Sequence, residues 1–98
     1  MMLFTILMMD KPESADLRQA TGAAHRDYMM ANTDGMRLGG PLLAPDGETV
    51  NGSMAIKEFT DRKAAEKFVA NEPYNKAGLF ETVIIRPFKA VVDQPSDN

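Results

Sequence analysis

Residues 1–10 read MMLFTILMMD. Successive side chains of an extended chain point to opposite sides. Leu3, Leu7 and Met9 therefore share one face of a strand over residues 2–9, and Phe4, Ile6 and Met8 share the other. Both faces are apolar, so both need a cover. The run has no basic residues ahead of it and no small-residue cleavage site after it, so it is not read as a signal peptide. It is also too short to cross a bilayer. The expectation is a strand in a cytoplasmic protein, with no membrane partner.

"DKPES" breaks the strand, and Ser14 is placed to cap a helix, with Asp16 in its first turn suiting the helix dipole. The helical pattern runs from Ala15 to Thr33. Leu17, Ala20, Ala24, Tyr28 and Ala31 recur at three- and four-residue steps and form the expected core stripe. Gly35 is the expected stop. A strand follows over Met36–Leu43, where Gly39, Gly40 and Pro41 suggest a bulge, an edge or a close approach to the backbone. A turn-rich loop, Ala44–Asn51, leads to a strand over Ser53–Phe59. Thr60 is the expected cap of a helix over Asp61–Ala70. "EPYNKAG" is a turn or one more short helical piece, and Leu79–Val92 is a last strand interrupted at Pro87.

The order β-α-β-β-α-β predicts an α+β, ferredoxin-like fold: an antiparallel sheet with two helices on one face. Residues 1–92 form a single domain and 93–98 a polar tail. Phe80, Ile84 and Phe88 line one side of the last strand; Val83, Ile85 and Val91 line the other. Two helices cover one face only. A homodimer packed through the open sheet face, as a shared α/β barrel, is therefore expected.

The chain has 98 residues, 44% of them hydrophobic and 26% charged, and a formal net charge of −3. That balance disfavours nucleic acid as a partner. There is no cysteine, which removes disulfides, thiolate nucleophiles and cysteine zinc sites. One histidine is a poor start for a metal site, and no hydrolase elbow, Walker loop or dinucleotide fingerprint is present. No metal and no cofactor is expected. The single imidazole, His25, lies in "TGAAHRDYMM" on the first helix; by itself it reads first as a structural or solvent-facing group.

Several segments in order resemble the YciI-like family, small proteins with a YCII-related domain and a dimeric ferredoxin-like fold. "GSMAIKEF", a short helix and "NEPYNKAGLFETVIIRPFK" follow the family's strand, its "DPY…AG" turn and its closing strand. "RLGGP" resembles the family's "L-x-x-G-P". The resemblance covers about Leu3 to Val92. It implies a His–carboxylate pair in a cleft, carried over to His25 and to Glu72, where glutamate stands for the family's aspartate. It also implies lyase- or isomerase-type steps on a small carbonyl or aromatic-degradation compound. Asp10, Gly40, Ser53 and Tyr74 are the candidate substrate-binding residues, and Arg26 or Arg37 the candidate cation for an anionic substrate. Each has a plainer role open to it: Asp10 as a turn residue, Ser53 at a strand start, Tyr74 in packing, Gly40 in shaping an edge, Glu72 at a helix end. The alternative at the level of the whole chain is a non-catalytic module binding a small molecule in the same cleft.

Overall fold

In a computed structural model that describes residues 1–94, the chain runs β1 (Met2–Asp10), α1 (Ala15–Ala31), β2 (Met36–Leu43), β3 (Val50–Phe59), α2 (Arg62–Ala70), α3 (Pro73–Lys76) and β4 (Phe80–Phe88). The strands form one antiparallel sheet in the order β2-β3-β1-β4. This is the ferredoxin-like arrangement, with a single turn, α3, added between α2 and β4. The apolar run that begins the chain is an inner strand, paired on both sides. Pro41 and Pro87 both fall on edge strands, where a missing backbone N–H does not break the sheet. No helix among the described residues is long and apolar enough to cross a membrane.

The alternation in β1 separates two environments. Phe4, Ile6 and Met8 are buried under the helices, where they meet Phe59 of β3, Phe68 and Val69 of α2, and Leu79. Leu3, Thr5 and Leu7 stand half-buried on the opposite face, across from Glu58, Ile56 and Met54 of β3 and Phe88, Arg86 and Ile84 of β4. Nothing within the described residues covers that face.

Four expectations need correction. First, a bulge between Met9 and Asp10 shifts the pairing with β4, so Asp10 faces Phe80 while Met9 faces Thr82. Side-chain parity changes at a bulge. Phe80 therefore joins the buried core, whereas Ile84 and Phe88 stay on the open face. The strand also stops at Phe88, leaving Val91 and Val92 exposed beyond it. Second, Asp61, not Thr60, caps α2, its carboxylate accepting the Ala64 N–H at 2.8 Å. Ser14 stands at the start of α1 but gives no side-chain cap; its hydroxyl donates to the Lys11 carbonyl at 2.6 Å instead. Third, α1 ends at Ala31 with Asn32 as its cap. Gly35 shapes the turn into β2, where its carbonyl accepts the Glu58 N–H. Part of the tail expected over residues 93–98 lies outside the described residues; within them, Asp93 takes a hydrogen bond from Arg37.

The fourth correction concerns function. Of the apolar stripe expected on α1, only Tyr28 turns inward; Leu17, Ala20, Ala24 and Ala31 are exposed. The inward face carries Arg18, Gly22, His25 and Met29. The helix leans chiefly on α3 and stands off the sheet, leaving space between. Polar side chains can face inward there because the interior they face is a cleft.

The far end of α1 is tied down by Lys57 of β3. Its residue surface is 6% exposed, its ammonium donates to the Asn32 carbonyl at 2.7 Å and to that of Asp34, and it lies over the rings of Phe59 and Phe68. Burial pushes the amine below its ordinary value, and the Asp34 charge offsets part of this. The folded state thus binds fewer protons than the unfolded state just below pH 10.5, and stability rises with pH across that window. Lys57→Met leaves two carbonyls without their donor. It is expected to cost about 1–3 kcal/mol in urea unfolding at neutral pH. The deficit relative to wild type widens as pH approaches 10.5, and a constant deficit would contradict the assignment.

Candidate active site

Between the inward face of α1 and the sheet lies a cleft of about 490 Å³. Met8 and Ala55 form its floor, with Gly40 and Pro41 of β2 at one side and Tyr74 of α3 at the other; Arg18, Gly22, His25, Arg26 and Met29 line it from the helix. Its walls are largely apolar, with a few convergent polar groups, as small-molecule sites usually are.

His25 sits on α1 where the helix passes α3. Its Nδ1 lies 2.6 Å from Glu72 Oε1. A contact that short holds a proton between the two atoms. Donation from Nδ1 fixes the tautomer and leaves Nε2 as the free edge of a ring that borders the cleft. Glu72 is completely buried. It caps α3, and Oε1 also accepts the Tyr74 N–H at 3.3 Å. Oε2 has no hydrogen-bond partner among the described residues. Pro73 at the first position of α3 suits a helix start, because its missing N–H is unpaired there anyway. The longer glutamate thus reaches the imidazole and fills a helix end as well. Tyr28, one turn beyond His25, donates to the Phe68 carbonyl at 2.7 Å; burial and the nearby Glu72 charge both raise its pKa.

Tyr74 stacks on His25 with ring centroids 4.1 Å apart and planes 20° from parallel. The Arg18 guanidinium also lies on the Tyr74 ring, 4.4 Å from its centroid. Arg18 and His25 are seven residues apart, two turns along one helix face, with Gly22 between them. At Gly22 a Cβ would stand 3.8 Å from the Tyr74 hydroxyl and 3.4 Å from Arg26 Nη1.

Arg18 is the residue that sequence reasoning missed. Its Nε donates to Asp10 Oδ2 at 2.7 Å and its Nη2 to Oδ1 at 2.9 Å, a two-pronged pair with side chains only 13% and 5% exposed. Nη2 also donates to Ser53 Oγ at 3.2 Å. Burial opposes the guanidinium charge, but the Asp10 carboxylate, with Tyr74 beside it, outweighs this and holds the pKa above the ordinary value. Alternation along β1 sets Asp10 on the helix side of the sheet, the side of Phe4, Ile6 and Met8. The legible signal was spacing: an arginine two turns before the only histidine, beside a carboxylate ending the first strand.

Of the candidates, His25, Glu72, Ser53, Tyr74 and Gly40 converge on the cleft, Glu72 from behind the imidazole. Asp10 does so only through Arg18: both its oxygens are engaged by the guanidinium, so it is neither a turn residue nor a free ligand contact. Arg26 lines the cleft. Arg37 does not; it pairs with Asp93 at the end of the sheet. No group of three or more histidine, cysteine, aspartate or glutamate side chains suited to a metal occurs among the described residues.

A family model described as the YCII-related domain matches residues 2–89. Protein YciI of Escherichia coli O6:H1 is 34% identical over 97 residues, covering 92% of this chain and 99% of that protein. An uncharacterized protein of Haemophilus influenzae is 31% identical over the same shares. Among solved structures, 5-chloro-2-hydroxyhydroquinone dehydrochlorinase of Burkholderia phenoliruptrix, in complex with 2,5-dihydroxybenzoquinone, superposes with a TM-score of 0.82 at 34% identity, covering 90% of this chain and 94% of that one. An antibiotic biosynthesis monooxygenase shares the fold alone, with a TM-score of 0.54 at 14% identity over 94% of this chain and 100% of that one.

Proposed function

The chain belongs to the YCII-related family, and from that premise and the cleft's geometry we propose that it is a small enzyme of lyase or isomerase type acting on a carbonyl-bearing ring or similar small molecule. The observation that carries this is the 2.6 Å contact from His25 Nδ1 to a completely buried Glu72, with the imidazole's other edge at a cleft. The dehydrochlorinase with the same fold supports the reaction class.

The chemistry needs only proton transfer. Nε2 of His25 takes a proton from a carbon next to a carbonyl, and the electron pair moves toward the carbonyl oxygen as an enolate. Glu72 keeps Nδ1 protonated and stabilises the imidazolium that forms. Collapse of the enolate then expels a leaving group, or the imidazolium returns the proton at another atom. No cofactor takes part in these steps.

His25→Ala is expected to lose about 10²–10⁴-fold in turnover when lactones and chlorinated or hydroxylated aromatics are screened. Glu72→Gln replaces the carboxylate that stabilises the imidazolium with a neutral amide, and a comparable loss in kcat is expected, by analogy with triad carboxylates. Turnover that survives His25→Ala would rule out the imidazole as the base. Ligand binding without turnover, unchanged in His25→Ala, would favour a non-catalytic module.

A second copy is proposed as the cover of the open sheet face. Leu38, Ile84 and Phe88 are exposed there, with Leu3, Leu7 and Ile56 half-buried beside them. An apolar face of this kind marks an interaction surface. Light scattering behind size-exclusion at low micromolar concentration should give twice the chain mass of 10.8 kDa. A single-chain mass would refute the dimer.

A further inference from the structure

The geometry points to Arg18 as the anion clamp of the cleft: its Nη1 edge takes an acidic oxygen of the ligand, an enolate, phenolate or carboxylate, while Asp10 holds the guanidinium in place. This rests on the cleft of the proposed enzyme being the ligand site, and it assigns a residue and a ligand charge that the His25–Glu72 pair does not supply.

Four observations carry it. Nε and Nη2 are consumed by Asp10 and Ser53, and Nη1 has no hydrogen-bond partner among the described residues, although Arg18 lines the cleft. The guanidinium is fixed on three sides, by a two-pronged carboxylate, by the Ser53 hydroxyl and by the face of Tyr74. Such a group meets a ligand without losing conformational freedom on binding. The nearby carboxylates do not compete: Asp10 is spent on Arg18, Glu72 lies behind His25, and neither lines the cleft. Arg26 at the same wall adds a second positive charge. Among the residues that line the cleft, the permanently charged side chains are thus Arg18 and Arg26.

Arg18 and His25 both lie against the Tyr74 ring, 4.4 and 4.1 Å from its centroid, and both line the cleft, so one ligand there meets both groups past the ring's edge. In the proposed step the developing negative charge lies on an oxygen, and Arg18 is the donor set to receive it. Ser53, tied to the same guanidinium, stands beside that position.

The test uses 2,5-dihydroxybenzoquinone, whose hydroxyls are ionised at neutral pH, and 2,5-dimethoxybenzoquinone, which cannot ionise, in calorimetric titrations of the full chain. Wild type is expected to bind the dihydroxy compound at least tenfold more tightly. Arg18→Met abolishes that preference with little effect on the dimethoxy compound, and Arg18→Lys, which keeps charge but not the fork, retains part of it. Because Arg18→Met strands a buried Asp10, the double variant Asp10→Asn/Arg18→Met is measured beside it, with circular dichroism to establish folding. Wild type that shows no preference, or no binding of the dihydroxy compound at millimolar concentration, overturns the clamp; so does a folded Arg18 variant that keeps the preference. His25→Ala is expected to retain the preference. A clamp lost with turnover still dependent on His25 refutes this inference alone. A clamp retained with turnover independent of His25 refutes the acid–base proposal alone.

Discussion

The structure is organised around one buried carboxylate. Glu72 has no exposed surface, yet its Oε1 accepts a backbone N–H at the start of α3 and meets Nδ1 of His25 on α1. A buried acid without partners would cost several kcal/mol. Its needs therefore fix two elements relative to each other. α3 is one turn long and could not hold its place alone. Held by Glu72, it sets Tyr74 into the gap between α1 and the sheet, and Tyr74 in turn supports both His25 and Arg18.

A second buried pair works at the other end of the same helix face. Asp10 closes β1, and Arg18 begins the inward row of α1. The two pairs, Asp10–Arg18 and Glu72–His25, hold a polar helix face over an apolar floor. They account for a helix that stands off its sheet instead of packing flat on it. An apolar inward face on α1 would close this space and leave no cleft.

Much of the fold was legible. The two-sided apolar run at residues 2–9 is the inner strand, and β2 spans the expected residues Met36–Leu43. What failed did so for stated reasons. The stripe Leu17–Ala20–Ala24–Ala31 satisfies a helical period but faces outward, because periodicity finds an apolar face without saying what it meets. The inward row contains an arginine and a histidine, which earn their place only through partners far away in sequence. Phe80 changed sides because a bulge alters strand parity and carries no clear sequence mark. At the site, Glu72 as the partner of His25 came from the family turn "DPY" and its counterpart "NEPY", not from spacing. Asp10 was visible as a candidate, but its role was not, because the guanidinium that occupies it had not been singled out.

The central claim is that Glu72 holds His25 with its proton on Nδ1 and its Nε2 free toward the cleft. The chain has one histidine, so its ring nitrogens give an unambiguous signal. A long-range ¹H–¹⁵N spectrum of labelled protein, at a pH where the imidazole is neutral, reads the tautomer directly. The account predicts a protonated Nδ1 and a pyridine-like Nε2. A proton on Nε2 in the wild type, or the averaged pattern of a free imidazole, would contradict it.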